Sequence, residues 1–373
     1  MPADINGRGA DNASERPQLK ISIIGVGLIG GSIGMAARKR MDATVCGYDP
    51  DPAVLSAALE LGAIDAAVHD IAHAVADAQV VFVAAPVGAL PGAVEQALRC
   101  APSDCVVSDV GSTKRVLAAA GADERFVGGH PLAGAETSGV RHAREDLFDG
   151  ASWYLTPAKG TSGVLYERLH RVLVGLGAQP AAIDVQVHDR LMACVSHLPH
   201  VLANVLVAEA ANAVEADGRL PSTGPSFRDA TRVAGANSGI WTDIYLSNRD
   251  ALIDSIEETI TKLGEVREAL TAGDAQAITD WNEHARAARE RLLGEGLVGA
   301  AVHELRVAVP NRPGVIAEIA LELGRAGVNI VDMALSPSAD NSQGVVALWL
   351  RGDEQSARAR ELIAGLDFPV AQA

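Results

Sequence analysis

Residues 20–50 read KISIIGVGLIGGSIGMAARKRMDATVCGYDP. An apolar run ends in a glycine turn at residues 25–30, a helix-compatible segment follows, and a second short apolar run stops at Asp49. This order of strand, glycine turn, helix, strand and acid predicts a dinucleotide site, in which the glycines permit the tight turn, close approach of a pyrophosphate and packing of helix on strand. The residues expected to bind the cofactor are Gly25, Gly27, Leu28, Ile29 and Gly30.

The acid after the second strand indicates which dinucleotide is bound. Asp49 lies 24 residues after Gly25, near the spacing of an acid that accepts hydrogen bonds from the adenosine ribose hydroxyls. A 2′-phosphate on this ribose would be repelled by the carboxylate. The sequence therefore favours NAD over NADP. An ordinary turn between a strand and a helix is the alternative, because glycine turns are common.

Composition excludes several classes of partner. The chain of 373 residues has 48% hydrophobic and 3% aromatic residues, typical of a globular protein with two or three domains. Its net charge of −16 disfavours nucleic acid or an anionic membrane surface as a partner. We expect no membrane span, since no apolar run reaches about 18 residues. The four cysteines lack metal-type spacing, which is consistent with a reducing cytoplasm.

The pattern of strand and helix signals changes twice along the chain, which predicts three domains. A polar, disordered leader is predicted before them at residues 1–18. Strand and helix patterns alternate over residues 19–184 and predict a Rossmann-like, doubly wound parallel sheet, an α/β fold. Residues 185–293 show long helical patterns and predict an all-α domain. Pro199 should kink the first helix of this domain. Strand and helix patterns return over residues 302–373 and predict a small α+β domain.

Ligands of doubly wound sheets bind outside the carboxyl ends of the strands. Three sequence positions fall at such ends: Ala85-Pro86, Asp109 and His130. We expect Ala85, Pro86 and Asp109 to contact the cofactor. His130 can accept a proton at cellular pH, since an unperturbed histidine has a pKa of about 6.5. The alternative for His130 is a structural cap on a turn.

The segment 109–114, DVGSTK, follows one of these strands. Ser112 is expected to cap a helix that begins there and, at the same time, to face the ligand. Lys114 is interpreted as a solvated residue of that helix.

Two histidines occupy an apolar helical stretch of the second domain. His197 and His200 lie three residues apart and Asn204 one turn further on, so the three share one side of the helix. Polar side chains among apolar neighbours favour the lining of a cavity, and we expect His197 and His200 to bind substrate. A metal site is the alternative, but no acidic ligands accompany the histidines.

An arginine pair is the candidate for binding an anion. Arg228 and Arg232 are spaced i,i+4 near the predicted start of a helix, where they repel each other and oppose the helix dipole. A bound carboxylate would relieve both effects. Salt bridges to Asp229 or Asp243 are the alternative.

With these residues in view, the chain resembles the prephenate dehydrogenase family, the enzymes of tyrosine biosynthesis that act on prephenate or arogenate. The resemblance covers residues 19–293 and rests on motifs in the family's order: GVGLIGGSIG, AAPV, DVGSTK, GGHPLAGAETSGV, VSHLPH and FRDATRVAGANSGIWTDI. The segment VPNRPGVIAEIALELGRAGVNI resembles an ACT domain, a small fold that binds amino acids.

The resemblance implies a role for each matching residue. His130 is implied as the base that takes the proton of the substrate's ring hydroxyl, and Ser112 as a hydroxyl that supports the same group. Arg232 is implied to bind the ring carboxylate, with Arg228 as a second cation. His200 is implied to lie near the pyruvyl side chain.

Two further substrate contacts are implied: Glu136 at the mouth of the pocket, and Trp241, contributed across a homodimer. Trp241 alone would be read as a core residue. The resemblance also implies an ACT domain that binds an aromatic amino acid, for which the expected residues are Asn311, Gly314, Asn329 and Ile330.

The activity implied is NAD-dependent oxidative decarboxylation of prephenate to 4-hydroxyphenylpyruvate, or of arogenate to tyrosine. An alternative of another class is a non-catalytic sensor of NAD and amino acids. Hydroxyacid or imine reductases of similar plan would need a lysine in the helical domain, and residues 184–249 contain none.

Overall fold

The computed structural model describes residues 18–134, 137–217, 223–293, 302–338 and 343–372. Except for Gln18, the predicted leader lies outside these residues, and so does Glu136. The described elements form an eight-stranded sheet with flanking helices, a group of helices, and a four-stranded sheet with two helices. The predicted fold class is confirmed.

The eight-stranded sheet forms the centre of the first domain. Its strands are β1 (Lys20–Ile24), β2 (Thr44–Tyr48), β3 (Ala66–Val68), β4 (Val80–Val83), β5 (Val106–Asp109), β6 (Phe126–Pro131), β7 (Ser152–Thr156) and β8 (Gln179–Ala182). They lie in the order β3-β2-β1-β4-β5-β6-β7-β8. The strands β4 and β5 are buried on both faces, which explains their continuous apolar runs.

The described residues of this domain form five α-helices: α1 (Leu28–Met41), α2 (Pro52–Glu60), α3 (Ile71–Val75), α4 (Leu90–Cys100) and α5 (Gly163–Gly175). The direction of the strand order reverses between β1 and β4. Such a reversal leaves a crevice at the carboxyl ends of the two strands, where doubly wound folds bind their ligands. The glycine turn and Ala85-Pro86 both lie at this crevice.

The sheet departs from the predicted all-parallel arrangement at one edge. β6 and β7 pair antiparallel, while β7 and β8 pair parallel, so the last two strands run opposite to the other six. The described part of the connection, residues 137–151, contains no α-helix that would carry the chain back across the sheet. In the resulting register His130 pairs with Tyr154.

The second domain is helical throughout its described residues. Its helices are α6 (Val185–Met192), α7 (Leu198–Asp217), α8 (Pro225–Thr231), α9 (Ser238–Ser247), α10 (Arg249–Ala272) and α11 (Ala275–Leu293). Residues 193–197 form a π-helical turn that joins α6 to α7. Pro199 has no N–H to donate and its ring clashes with the carbonyl four residues earlier, so the wider turn before it accommodates the predicted kink.

The segment Val185–Ala213 is long and apolar enough to cross a membrane by those two criteria, and 28% of its most apolar window is buried. This contrasts with the expectation drawn from apolar runs, because polar side chains interrupt the segment. Among them His188, Asp189, His197 and His200 are buried inside the protein. Several apolar side chains of the same segment are exposed: Val195, Leu202, Val205, Leu206 and Val207.

The third domain is an antiparallel sheet with two helices on it. Its elements are β9 (Val302–Pro310), α12 (Val315–Arg325), β10 (Ile330–Pro337), β11 (Gln343–Arg351), α13 (Asp353–Gly365) and β12 (Val370–Gln372), with strand order β10-β11-β9-β12. The alternation of buried and exposed residues in β9 and β11 is that of a sheet covered on one face.

The third domain packs against the first domain of the same chain. Apolar side chains of both domains form one continuous core cluster. The contact is close: a Cβ at Gly324 of α12 would fall on the carbonyl oxygen of Ala182 in β8, and one at Gly163 would lie 2.6 Å from Ile316 Cγ1. Because these positions lack side chains, α12 can approach the edge of the eight-stranded sheet.

Candidate active site

The glycine turn between β1 and α1 is sterically specified. Gly25 has a φ of +91°, and a Cβ there would lie 2.6 Å from the carbonyl oxygen of Ala84. A Cβ at Gly30 would fall on the carbonyl oxygen of Gly25. Both positions therefore need glycine for the turn itself.

Gly27 differs from its two neighbours in the turn. A Cβ at Gly27 would meet nothing within 4 Å, so the structure leaves open space beside this backbone. α1 begins at the next residue, with no side-chain cap and no acidic residue in its first turn. The N–H groups and positive dipole end of a helix without such partners suit a phosphate.

Asp49 lies beside this turn, as predicted for a ribose-binding acid. One carboxylate oxygen accepts a hydrogen bond from the amide of Val26 at 2.9 Å, and the other accepts from the amide of Asp51 at 3.0 Å. Each oxygen has a second lone pair, and the residue is partly exposed. The open backbone at Gly27, the uncapped helix and this carboxylate fit NAD.

The remaining predicted cofactor contacts surround the same crevice. Leu28 and Ile29 form the start of α1 and are partly buried against the core, while Ala85 and Pro86 follow β4. Ala84, just before them, donates its amide hydrogen to the carbonyl of Ile24 at 2.7 Å. This bond holds the two strand ends together below the turn.

The side chain of Asp109 does not have the predicted role of contacting the cofactor. The carboxylate is fully buried, and it accepts hydrogen bonds from the amides of Gly111 at 2.8 Å and Gly129 at 3.0 Å. It also forms an ion pair with Lys114. These protein partners occupy the carboxylate, which therefore shapes the crevice and does not face the cofactor.

Lys114 is buried, and its interpretation as a solvated helix residue is wrong. Its ammonium group donates to Asp109 and, at 2.6 Å, to the carbonyl of Gly129. Burial lowers the pKa of Lys114, and the charge of Asp109 opposes that shift. The acid that compensates its charge, Asp109, lies five residues earlier, a spacing that neither helix nor strand periodicity would associate with an ion pair.

Ser112 lies in a bend, and the predicted helix after it is absent. Residues 115–117 form only a single 3₁₀ turn. The amides that such a helix would leave unpaired are used by another domain: those of Lys114 and Arg115 each donate to the carboxylate of Asp189 at 2.9 Å. Its predicted capping role is therefore wrong. Ser112 is partly exposed near the end of β5, and its position beside the ligand stays a prediction.

His130 lies at the carboxyl end of β6 with part of its surface accessible. Its Nδ1 lies 2.9 Å from Nε2 of His188, and Nδ1 of His188 lies 2.8 Å from a carboxylate oxygen of Asp189. His188 and Asp189 are in α6, so the helical domain supplies the two groups behind the predicted base. The ring of Tyr154 contacts His188 edge-on, with centroids 5.8 Å apart.

The protonation states of His130, His188 and Asp189 follow from burial and hydrogen bonds. Burial lowers the pKa of His130 well below 6.5, and the neighbouring His188 and Lys114 lower it further. Burial also lowers the pKa of His188, against the effect of Asp189. For Asp189, burial acts to raise the pKa, but the hydrogen bonds it accepts outweigh burial and lower it. Both histidines are therefore neutral at pH 7, and Asp189 is an anion.

His197 is not placed to bind substrate. It is 1% exposed, its Nδ1 lies 3.2 Å from the side-chain nitrogen of Asn248, and burial lowers its pKa to about 4. Asn248 also donates to the carbonyl of Asp189 at 2.7 Å. The predicted cavity-lining role is wrong for His197, which packs between α6 and α10.

His200 lies in an aromatic group of its own chain. Its ring stacks on Trp241 with centroids 3.7 Å apart, and its Nδ1 is hydrogen-bonded to the hydroxyl of Tyr245 and lies 3.2 Å from the side-chain nitrogen of Asn204. Trp241 is expected to reach a partner subunit, but in the structure it stacks on His200 of its own subunit. Burial lowers the pKa of His200, although a hydrogen bond with the backbone of Val233 acts to raise it.

The two arginines are exposed at the carboxyl end of a short helix. α8 ends at Thr231, so Arg228 is in its last turn and Arg232 directly follows it. Cations are favourable at this end of a helix. The expected conflict with the helix dipole is thus wrong, because the helix begins at Pro225 and ends at Thr231. Both arginine side chains are exposed cations, and their role in binding an anion stays a prediction.

The four predicted effector residues do not share one site. Asn311 lines a cavity of about 390 Å³ between the third domain and α5. Gly314 has a φ of +84° and donates its amide hydrogen to the carbonyl of Thr161, which makes it a docking residue. Ile330 is 4% exposed and belongs to the core. Asn329 donates its amide hydrogen to the side chain of Gln355.

Among the described residues, no group of three or more His, Cys, Asp or Glu side chains is placed to hold a metal ion. The site that the structure shows therefore consists of a dinucleotide crevice and a neutral histidine beside it, backed by His188 and Asp189 of the helical domain. This fold and site define a dinucleotide-dependent dehydrogenase with an added small regulatory-type domain.

Comparisons identify the family. Residues 33–181 match "Prephenate dehydrogenase, nucleotide-binding domain", residues 184–283 match "Prephenate dehydrogenase, dimerization domain", and residues 303–354 match "ACT domain". The chain is 32% identical to prephenate dehydrogenase of Bacillus subtilis (strain 168) over 360 residues, 93% of this chain and 96% of that protein. It belongs to the prephenate dehydrogenase family.

Relatives with other names are also similar. Cyclohexadienyl dehydrogenase of Zymomonas mobilis is 33% identical over 72% of this chain and 94% of that protein. Prephenate dehydrogenase from A. aeolicus, solved with hydroxyphenyl propionate and NAD+, has a TM-score of 0.68 at 27% identity over 74% of this chain and 99% of its own. Synechocystis arogenate dehydrogenase has a TM-score of 0.66 at 26% identity over 74% and 100%.

The open space at Gly27 predicts a substitution that separates cofactor binding from folding. In Gly27→Ala the new methyl group meets no protein atom, and the φ of −81° suits alanine, so the urea unfolding midpoint should not change. NAD affinity, measured by fluorescence titration, should fall about tenfold or more, since one crowded methyl group costs about 1–3 kcal/mol. Gly30→Ala is the control and should lose stability. Unchanged NAD affinity in Gly27→Ala would contradict the assignment.

Proposed function

We propose that this protein catalyses the NAD-dependent oxidative decarboxylation of prephenate to 4-hydroxyphenylpyruvate. The observation that carries the proposal is the neutral His130 at the carboxyl end of β6, beside a crevice that fits NAD. The motif GGHP and the family membership support the same reaction.

The protein has to move one proton and orient two leaving groups. When bound, NAD accepts the hydride that leaves C4 of the cyclohexadiene. His130 takes the proton of the C4 hydroxyl, the ring carboxylate departs as CO2, and the proton returns to the phenolate oxygen, so that no proton is gained or lost overall. Aromatisation of the ring supplies much of the driving force, and the protein supplies orientation and charge placement.

Arg232 is proposed to hold the ring carboxylate, with Arg228 as a second cation. Both are exposed on the helical domain in a chain of net charge −16, where an anionic substrate needs a local positive charge. Since the bound carboxylate is the group that departs, Arg232 should contribute to binding more than to the late transition state.

Arogenate is the alternative substrate, and a relative of similar fold carries that name. The two substrates differ in a keto or an ammonium-bearing side chain. A positive charge near this side chain would favour prephenate, and a negative charge would favour arogenate, so the cationic Arg228 gives prephenate the preference. A non-catalytic sensor is the alternative of another class, and it would not require His130 in its basic, neutral form.

We propose that the exposed apolar face of residues 185–213 is the contact of a homodimer. It lies in the domain that matches "dimerization domain". Further apolar side chains of the same domain are exposed on α9 and α10: Ile240, Leu246, Ile253, Ile260 and Leu263. An apolar surface of this kind is typical of obligate interfaces.

The proposed effector is an aromatic amino acid, bound in the cavity of about 390 Å³ between α5 and the loop at Asn311. Glu167 and Arg171 of α5 line it and pair with each other at 2.6 Å. Burial raises the pKa of Glu167. An acid and a base at one cavity suit the ammonium and carboxylate of an amino acid, and apolar neighbours such as Val309 and Leu335 suit a ring.

The proposed location is the cytoplasm. Cys46, Cys100, Cys105 and Cys194 are all free thiols. Burial raises the pKa of Cys105 to about 12, which makes this thiol unreactive. Free thiols persist in a reducing compartment.

The first test is an absorbance assay at 340 nm with prephenate or arogenate and either cofactor. We expect the highest kcat/KM with prephenate and NAD, and an acid limb of the pH profile below pH 6.5, because His130 must be neutral and its pKa is lowered. His130→Asn should bind NAD normally and lose turnover.

Arg232→Ala should raise KM about tenfold or more, as expected for a lost charge-assisted bond. Arg249→Ala, another exposed arginine of the same domain, is the control.

Absence of turnover with both substrates would remove the proposed reaction and favour the sensor. Retained turnover in His130→Asn at neutral pH would remove His130 as the base. A lowered kcat with unchanged KM in Arg232→Ala would contradict its binding role.

The homodimer predicts a specific effect of charge on the apolar face. Leu206→Glu places a carboxylate in the middle of this face and should convert the dimer to a monomer in light scattering. Leu59→Glu, at a similarly exposed leucine of α2, should leave the mass unchanged. A monomeric wild-type protein would contradict the proposal.

The effector site predicts loss of amino-acid binding on neutralising Glu167. Glu167→Gln should weaken tyrosine binding, measured by calorimetry, by about tenfold, because the ammonium group loses its counter-charge. Glu361→Gln, on the surface of α13, is the control. Equal affinity in both variants would place the effector elsewhere.

A further inference from the structure

We propose that His188, held by Asp189, is a positioning residue that fixes the His130 ring with a proton on Nδ1 and leaves Nε2 free for the substrate hydroxyl. This inference deepens the proposed function and rests on His130 being its base. Its structural part, the state of the His130 ring, can be measured without substrate or cofactor.

The three groups form one line across the junction of two domains. His130 comes from β6 of the first domain, whereas His188 and Asp189 come from α6 of the helical domain. Both links have hydrogen-bond length, 2.9 Å between the histidines and 2.8 Å between His188 and Asp189. His188 is fully buried and Asp189 is 1% exposed, so water does not replace either link.

The order of donors along this line follows from Asp189. An ionised carboxylate can only accept, so Nδ1 of His188 must carry the proton that it donates to Asp189. A neutral imidazole has one N–H, so Nε2 of His188 is an acceptor. The facing Nδ1 of His130 must then be the donor. The remaining Nε2 of His130 is left unprotonated, which is the form a general base requires.

Asp189 is itself fixed from a second direction. The amides of Lys114 and Arg115 donate to its two oxygens at 2.9 Å, and the side chain of Arg115 lies 3.6 Å away. The carboxylate therefore cannot rotate freely. The loop that carries Ser112 and the helix that carries His188 are joined through the same group.

Other charged and titratable groups surround the pair. Lys114 and Asp109 form an ion pair beside His130, His197 lies further along the helical domain, and Tyr154 contacts the edge of His188. Lys114 and the neighbouring histidines disfavour a positive charge on His130. Asp189 is an anion connected to His130 through His188 by two hydrogen bonds, so it lowers the cost of the imidazolium that forms during turnover.

The proton balance of the proposed step is simple. The hydroxyl O–H bond of the substrate breaks and an N–H bond forms at Nε2 of His130. His130 keeps its Nδ1 proton and its bond to His188 throughout, and His188 stays neutral. The proton later returns from Nε2 to the phenolate oxygen.

The first test measures the ring of His130 in the protein alone. Two-bond ¹H–¹⁵N correlation spectra of ¹⁵N-histidine-labelled protein distinguish protonated from unprotonated ring nitrogens, and His130→Asn assigns the signal. We expect Nδ1 of His130 to be protonated and Nε2 unprotonated at pH 7.5. A ring protonated at Nε2 would overturn the proposal, whatever the substrate is.

Two variants of His188 provide a matched pair for the second test. Gln places its amide group near the position of Nε2 and can still accept from His130, whereas Asn places its amide near Nδ1 and cannot reach His130. We expect kcat of His188→Asn to fall about 10²-fold or more, with KM and NAD affinity within about threefold of wild type. His188→Gln should retain at least about tenfold more turnover than His188→Asn.

A purely structural role of His188 would give a different result. Both variants would then lose kcat equally, or KM would rise while kcat stayed constant, and either outcome overturns the proposal. If His188→Asn does not fold, the ring state of His130 in the wild type and in His188→Gln still decides the question. Failure of the proposed function would appear separately, as absence of turnover in the wild type with the predicted ring state intact.

Discussion

The site depends on one buried ion pair, Lys114 with Asp109, at the carboxyl ends of β5 and β6. Asp109 accepts from the amide of Gly129, and Lys114 donates to the carbonyl of the same residue, so the pair holds both sides of the backbone next to His130. Breaking such a pair by removing one partner costs about 3–5 kcal/mol, because a buried charge is left uncompensated. A Cβ at Gly129 would lie 2.5 Å from the backbone oxygen of Asp109, which explains the glycine before the histidine.

The sequence predicted the fold class because its signals are local or periodic. The glycine turn, the acid at Asp49 and the apolar strands each lie within one βαβ unit, and the structure places them together as expected. His130 was found for a similar reason: parallel strands end at the same edge, so a histidine after a strand falls beside the crevice. The antiparallel return of β7 was not predicted, since strand direction depends on a connection that has no pattern of its own.

The parts that sequence could not supply are contacts between distant segments. Asp189 caps the amides at 114 and 115, and this contact replaces the helix predicted after Ser112. Lys114 looked like a surface residue because its partner, Asp109, is not at a helical spacing. Asp189 carried no comparable signal in the sequence, because Gln186, His188 and Arg190 give α6 a mixed polar character.

The π-helical turn at residues 193–197 acts as a rotational spacer between the two ends of the long helix. Relative to a continuous α-helix, one extra residue in the turn rotates everything after it by about 100°. His188, before the turn, faces the first domain, while His200, after it, faces Trp241 and Tyr245. The wide turn thus lets a single helix present side chains in two different directions. The length of this turn, more than the identity of its residues, sets the angle between His188 and His200.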